Sequence, residues 1–241
     1  MVPTLTYLQF HALFVVPVVA GLALTATYRL GSRRDTLTGT AILTGLALVY
    51  TTPWDGALIR HGVWWYGDGA VLVRFWSIPL GEYLFFVLQT AMVGLWVARF
   101  RVDTERPLAT PLRTRLVGFA AALVVVLVGL ALLRSDSGLY LGSLLVWSGP
   151  ILAIQWLFGW RFLVAEWRTV VGATLAPTAY LCGIDSVAIR LGVWTLSDQF
   201  TTGYVIPLLG LPIEEAVFFF LTTLFVVQGV VLYVWLVDRW N

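Results

Sequence analysis

The sequence predicts an all-α membrane protein, a seven-helix transmembrane bundle in which two parallel three-helix repeats are joined by a linker helix. Three observations predict it. Of 241 residues, 59% are hydrophobic and 12% charged, with a mean hydropathy of +0.87, values that belong to a polytopic membrane protein. Apolar runs long enough to cross about 30 Å of hydrocarbon at 1.5 Å per residue occur seven times. Finally, segments of the first half recur in the second half at a nearly constant spacing.

Taken in order, the apolar runs cover residues 5–27, 37–58, 75–97, 115–133, 139–160, 169–189 and 204–236. No positive n-region or small-residue cleavage site precedes the first run, which therefore reads as a retained helix. The last run is over-long and contains Pro207, Gly210 and Pro212, so a break is expected before a helix that restarts near Pro212. Phe100 to Arg115, with Pro107 and Pro111, is the clearest polar linker.

The chain has no lysine, and its fifteen cationic residues are all arginine. Eleven of them (Arg29, Arg33, Arg34, Arg99, Arg101, Arg106, Arg113, Arg115, Arg161, Arg168 and Arg239) fall on one side of the predicted bundle. Arg60, Arg74, Arg134 and Arg190 fall on the other. Cytoplasmic loops collect arginine, so the N-terminus is expected outside and the C-terminus in the cytoplasm of a multi-pass protein of the cell membrane. A net charge of +2 distributed this way carries no nucleic-acid signal. Cys182 is the single cysteine and forms no intrachain disulfide.

The duplication organises the rest. Tyr7 recurs as Tyr140, Pro17 as Pro150, Pro79 as Pro212, Glu82 as Glu215, Phe85 as Phe218 and Phe86 as Phe219, all at a shift of 133. The ten residues Asp55 to Trp64 align with Asp185 to Trp194 at a shift of 130, and six are identical, including the Asp, Arg, Gly and Trp. One transmembrane domain, 1–241, is thus expected to divide into a first repeat (5–98), a linker loop with the fourth helix (99–137) and a second repeat (138–241). An odd connecting helix starts both repeats from the same face, so the equivalent acids should lie at similar depth.

An ionisable residue in mid-membrane costs about 3 kcal/mol, which makes buried acids functional candidates. Glu82, Phe85, Phe86 and Gln89 stand at i, i+3, i+4 and i+7 on one helical face, and Glu215, Phe218, Phe219 and Thr222 repeat the pattern. A plain packing face is the alternative for either copy alone. Glu214 has Gly81 as its counterpart and lies about 100° around the helix from Glu215, as an auxiliary acid or as a group satisfied at the interface. Asp55 and Arg60, like Asp185 and Arg190, are five apart, about 140° on a helix, so each Asp should find its partner outside its own helix. They read as a buried salt bridge or as groups that orient the glutamates. Trp64, Trp65, Tyr66, Trp76 and Trp194 fall near the surface, where an aromatic belt explains most of them. His11 and His61 are unaccompanied, and no cluster has metal-ligand spacing; dinucleotide, P-loop and nucleophile-elbow motifs are missing too.

Carboxyls beside aromatic rings in a dry pocket can protonate an alkene, shield the carbocation and remove a proton elsewhere. Ring faces attract such cations by about 2 kcal/mol when desolvated. No metal or redox cofactor is required for that isomerisation.

The doubled Pro-x-x-Glu-x-x-Phe-Phe frame, the doubled Asp-x-x-x-x-Arg-x-Gly-x-Trp segment and the duplicated seven-helix layout resemble the membrane-integral, heterodimer-derived lycopene cyclase family, over essentially the whole chain. Pro212, Glu214 and Glu215 match the family's Pro-x-Glu-Glu motif fully; the first copy has Gly81 at the first Glu. The resemblance implies conversion of the ψ-ends of lycopene to β-ionone rings, giving β-carotene through γ-carotene, without a cofactor and with the carotenoid and membrane lipids as partners. It implies catalysis by Glu82, Glu215 and Glu214, with Asp55, Asp185, Arg60 and Arg190 setting protonation states. Phe85, Phe86, Phe218, Phe219, Trp64 and Trp194 would bind the substrate. A lysine-dependent retinal protein is excluded. A 3+1+3 transporter with a buried carboxylate relay is the competing reading, although the only Asn is Asn241. A structural membrane subunit is the third.

Overall fold

The computed structural model describes residues 5–107 and 111–238; Arg239, one of the arginines used above for orientation, lies outside them. Among the described residues, seven helices are long and apolar enough to cross a membrane: α1 (Tyr7–Leu24), α2 (Arg33–His61), α3 (Leu80–Val97), α4 (Leu112–Leu132), α5 (Leu139–Ala165), α6 (Trp167–Arg190) and α7 (Ile213–Val237). Each coincides with one of the seven apolar runs. The third and seventh start later than their runs, because the first residues of both are spent on hairpins.

Local chemistry sets the boundaries. Thr6 and Gln9 form a reciprocal capping box that starts α1. Pro17 lacks an amide proton and crowds the preceding turn, and α1 absorbs it in a π-turn over His11–Val15, where the Val16 amide reaches back to the His11 carbonyl. Ser32 caps α2 by accepting from the Asp35 amide, and Gly62, at φ 77°, ends it in the left-handed region. Pro79, Pro111 and Pro212 each stand immediately before a helix, where an extended residue without a donor is tolerated.

α3 and α7 form the centre. α7, the most buried helix, packs against α2, α3, α5 and α6, and α3 also packs against α1, α2 and α6. α4 lies at the periphery against α5. There the helices approach closely through glycine: a Cβ on Gly129 would sit 2.8 Å from the Gly142 carbonyl oxygen, and one on Gly142 would meet the Gly129 carbonyl at 2.8 Å. Small residues permit such contact where lipid offers no hydrophobic drive between helices.

Short strands close one end of the bundle. β1 (Trp64–Tyr66) pairs antiparallel with β4 (Trp194–Leu196), with Trp65 opposite Thr195. β2 (Arg74–Phe75) pairs with β3 (Ile78–Pro79), and β5 (Val205–Ile206) with β6 (Leu211–Pro212). Each hairpin is tied to the helix that follows by the same kind of bond: the Leu80 amide donates to the Val73 carbonyl, and the Ile213 amide to the Tyr204 carbonyl, both at 2.9 Å. Glu82 and Glu215 therefore stand in the first turns of α3 and α7, on backbone pinned from below.

Candidate active site

Glu82 and Glu215 line one cavity of about 60 Å³ together with Asp55 from α2 and Asp185 from α6. Both aspartates are buried. Apart from His11, the rest of the wall is aromatic or aliphatic and includes Tyr7, Trp54, Trp64, Phe85, Trp194 and Phe218. Four acids thus converge from four helices.

The α3 and α7 faces read from the sequence meet each other. The Phe85 and Phe218 rings stack with centroids 6.4 Å apart, and Phe85 meets Phe219 edge-on at 6.0 Å. One turn further from the cavity, the Gln89 amide donates to the Thr222 hydroxyl at 2.7 Å. Phe86 is also buried but lies outside the cavity wall.

Each glutamate is held by a phenol. Tyr66 donates to Glu82 Oε1 at 2.5 Å and accepts from the Trp64 indole at 3.1 Å. Burial first, then the Glu82 and Asp55 carboxyls, hold the Tyr66 phenol well above its ordinary range, so it stays a donor. Tyr140 donates to Glu215 Oε1 at 2.9 Å. Asp185 accepts from the Trp194 indole at 3.1 Å. Sequence reasoning did not select Tyr66 or Tyr140 as site residues. The recurrence of Tyr7 as Tyr140 was the available signal for one of them.

Trp64 and Trp194 therefore face the interior, whereas Trp65 (50% exposed) and Trp76 (84%) face outward as interfacial residues do. The cross-strand pairing decides this, since alternate residues of β1 point to opposite sides.

Two expectations need correction. Asp–Arg pairing is not found: among the described residues the ion pairs join Arg106 to Asp103 and Glu166. Asp55 and Asp185 point inward, while Arg60 and Arg190 occupy the last turns of α2 and α6, where a cation suits the helix dipole. Arg190 donates instead to the Leu209 carbonyl at 2.7 Å, and neither arginine lines the cavity. Glu214 is fully buried but also outside the cavity wall. Its Oε1 accepts from both the amide and the hydroxyl of Thr202, each at 2.7 Å, which ties the segment before β5 to α7.

Gly81, the counterpart of Glu214, is explained by packing. A Cβ there would fall 2.2 Å from Tyr7 Cδ1, so the ring of Tyr7 fills the room a side chain would take. His11 is held by its Nε2 at 2.9 Å from the Gly81 carbonyl oxygen and stacks on Phe85. Among the described residues no group of three His, Cys, Asp or Glu side chains is arranged to hold a metal ion.

Comparison with known proteins decides the lineage. The lycopene cyclase family model matches residues 6–100 and 137–235. The chain belongs to the lycopene cyclase family. A lycopene beta-cyclase of Halobacterium salinarum is 43% identical over 238 residues, covering 99% of this chain and 100% of that protein. A bifunctional lycopene cyclase/phytoene synthase of Gibberella fujikuroi is 34% identical over 93% of this chain and 39% of its own length. That of Blakeslea trispora is 32% identical over 89% of this chain and 36% of its own length. No solved structure matches. For a member of the lycopene cyclase family, the gap in the match, 101–136, falls on the linker and the whole of α4, the peripheral helix packed against α5.

Proposed function

We propose that the protein is a lycopene β-cyclase, converting the ψ-ends of lycopene to β-ionone rings and giving β-carotene through γ-carotene. The observation that carries this reading is the convergence of Glu82, Glu215, Asp55 and Asp185 on one aromatic-walled cavity with no arginine among the described residues paired to them. Four close carboxyls without a cation do not all bear charge, so protons are shared among them and the cavity offers both a proton donor and a proton acceptor.

One of Glu82 and Glu215, as the neutral acid, delivers its proton to C2 of a ψ-end and leaves a cation at C1. The C5=C6 π bond attacks C1, the C1–C6 bond forms, and the positive charge moves to C5. A carboxylate then removes the proton from C6, and the C5=C6 double bond is restored inside the new ring. One proton enters and one leaves, so no oxidant or reductant is consumed. Phe85, Phe218 and Phe219 shield the cation with their ring faces, worth about 2 kcal/mol when water is excluded. Tyr66 and Tyr140 each fix one carboxyl oxygen of their glutamate, and the Tyr7 hydroxyl also interacts with Glu82.

The same reading gives Glu214, Arg60 and Arg190 structural tasks and treats residues 5–98 and 138–241 as the two repeats. Their contacts at Phe85–Phe218 and Gln89–Thr222, both pairs at the shift of 133, support it. Arginine asymmetry supports a cell-membrane protein with its N-terminus outside, testable by reporter fusions at the two termini. A transporter would need a polar path, and the acids here are walled by aromatic rings instead.

Expression in a lycopene-accumulating host tests the activity. Red cells turn orange-yellow and chromatography finds cyclised carotenoid; unchanged lycopene with the protein present in the membrane removes the proposal.

A further inference from the structure

A second space, about 680 Å³, lies between α2, α3, α5 and α7. Phe218 belongs to the walls of both this chamber and the acidic cavity. The partition is completed by Trp147, which lines the chamber and stacks on Trp54 of the acidic cavity with centroids 4.7 Å apart. At this neck the Tyr50 hydroxyl donates to the Trp147 carbonyl at 2.7 Å, joining α2 to α5. Below the neck the two helices separate, and Leu46 (57% exposed) and Ile154 (70% exposed) line the chamber while facing lipid. It is thus a cleft open sideways to the bilayer and closed at one end against the acids.

Its length and lining identify an occupant. From Phe218 to Leu236 the α7 wall runs about 27 Å at 1.5 Å per residue, most of the hydrocarbon thickness. Three polar side chains in the wall bond internally, Gln89 to Thr222, Thr90 to the Phe86 carbonyl and Gln155 through Nε2 to the Phe225 carbonyl, while Gln155 Oε1 has no partner. The slot is otherwise mainly apolar, and its inner end is faced by the flat rings of Trp147 and Phe218. A long, flat, conjugated hydrocarbon fits it, entering from the membrane with its tip at the neck.

Resting on the cyclase reading above, we infer that this chamber binds the polyene arm of the carotenoid, holds it along the membrane normal and presents one end at a time to the acids. The second ring therefore requires the monocyclic product to withdraw into the bilayer and re-enter reversed, and the chamber discriminates by length.

The test uses the full chain in lipid nanodiscs, with lycopene and a centre-cleaved apo-lycopenal that carries the same ψ-end on a short arm. A47W and I154W place an indole in the chamber from opposite walls, and V49W on the lipid-facing side of α2 is the control. Expected is a fall of tenfold or more in the ratio of kcat/KM for lycopene to that for apo-lycopenal in both chamber variants, carried by KM, and no change in V49W. A ratio that stays at the wild-type value marks the chamber as a lipid-filled cleft and overturns the inference. So does an equal loss on both substrates by protein that elutes as a single folded species. Failure of the wild type to cyclise either substrate refutes the cyclase reading itself, a separate outcome.

Discussion

Gln89 of α3 and Thr222 of α7 meet at 2.7 Å, side chain to side chain, at equivalent positions of the duplicated faces. The bond fixes the rotation of the two central helices, and that rotation aims Glu82 and Glu215, two turns away on the same faces, into one cavity. Thr222 also donates to the Phe218 carbonyl at 2.8 Å and keeps that bond without Gln89. Q89L should therefore lower stability by only about 1 kcal/mol. Thermal unfolding in detergent reads this directly.

Glu214 and Glu215 are adjacent and differ in task. E214Q keeps an oxygen for the two Thr202 donors, and cyclisation should stay within a few-fold of wild type. E214A leaves the Thr202 amide without its acceptor and should cost about 1–3 kcal/mol of stability. Carotenoid analysis beside unfolding midpoints distinguishes the two effects.

Y66F and Y140F each remove a phenol that donates to one glutamate, Tyr7 remaining beside Glu82. A hydrogen bond to a charged partner contributes about 1.5–3 kcal/mol, so turnover should fall roughly tenfold to hundredfold in each. KM should change little, because these phenols hold the acid and not the polyene. Steady-state kinetics on lycopene in nanodiscs checks the split.

G81A tests the packing account of the asymmetric motif. The added methyl meets the Tyr7 ring, which must move, at a cost of about 1–3 kcal/mol. G81E, which would write the full Pro-x-Glu-Glu motif into the first copy, should be worse, not better. Membrane accumulation and ring formation are the readouts.

The helices were legible in the sequence because uninterrupted apolar runs of that length suit a bilayer and little else. Glu82, Glu215, Asp55 and Asp185 were legible because acids in such runs are conspicuous. The repeated Phe85 and Phe218 announced a shared face. Less visible was Tyr66, whose partner Glu82 lies on the far side of a hairpin and whose residue type is ordinary near a membrane surface. Trp64 and Trp194 resembled belt residues for the same reason; only the β1–β4 register shows which tryptophans turn inward. Arg60 and Arg190 form no ion pair with Asp55 or Asp185, because a charge pattern shows only which residues could pair and not which way side chains in the last turn of a helix point. The chamber beside the acids leaves no sequence mark, since its walls and the ordinary packing faces use the same residues.

The central claim is that Glu82 and Glu215 serve one reaction in one cavity, and conservative replacement of each tests it most directly. E82Q and E215Q, expressed separately in lycopene-accumulating cells and quantified in the membrane, should each leave lycopene uncyclised, with neither β-carotene nor γ-carotene in the extract. Wild-type levels of cyclised carotenoid from either variant, at wild-type protein abundance, would contradict it.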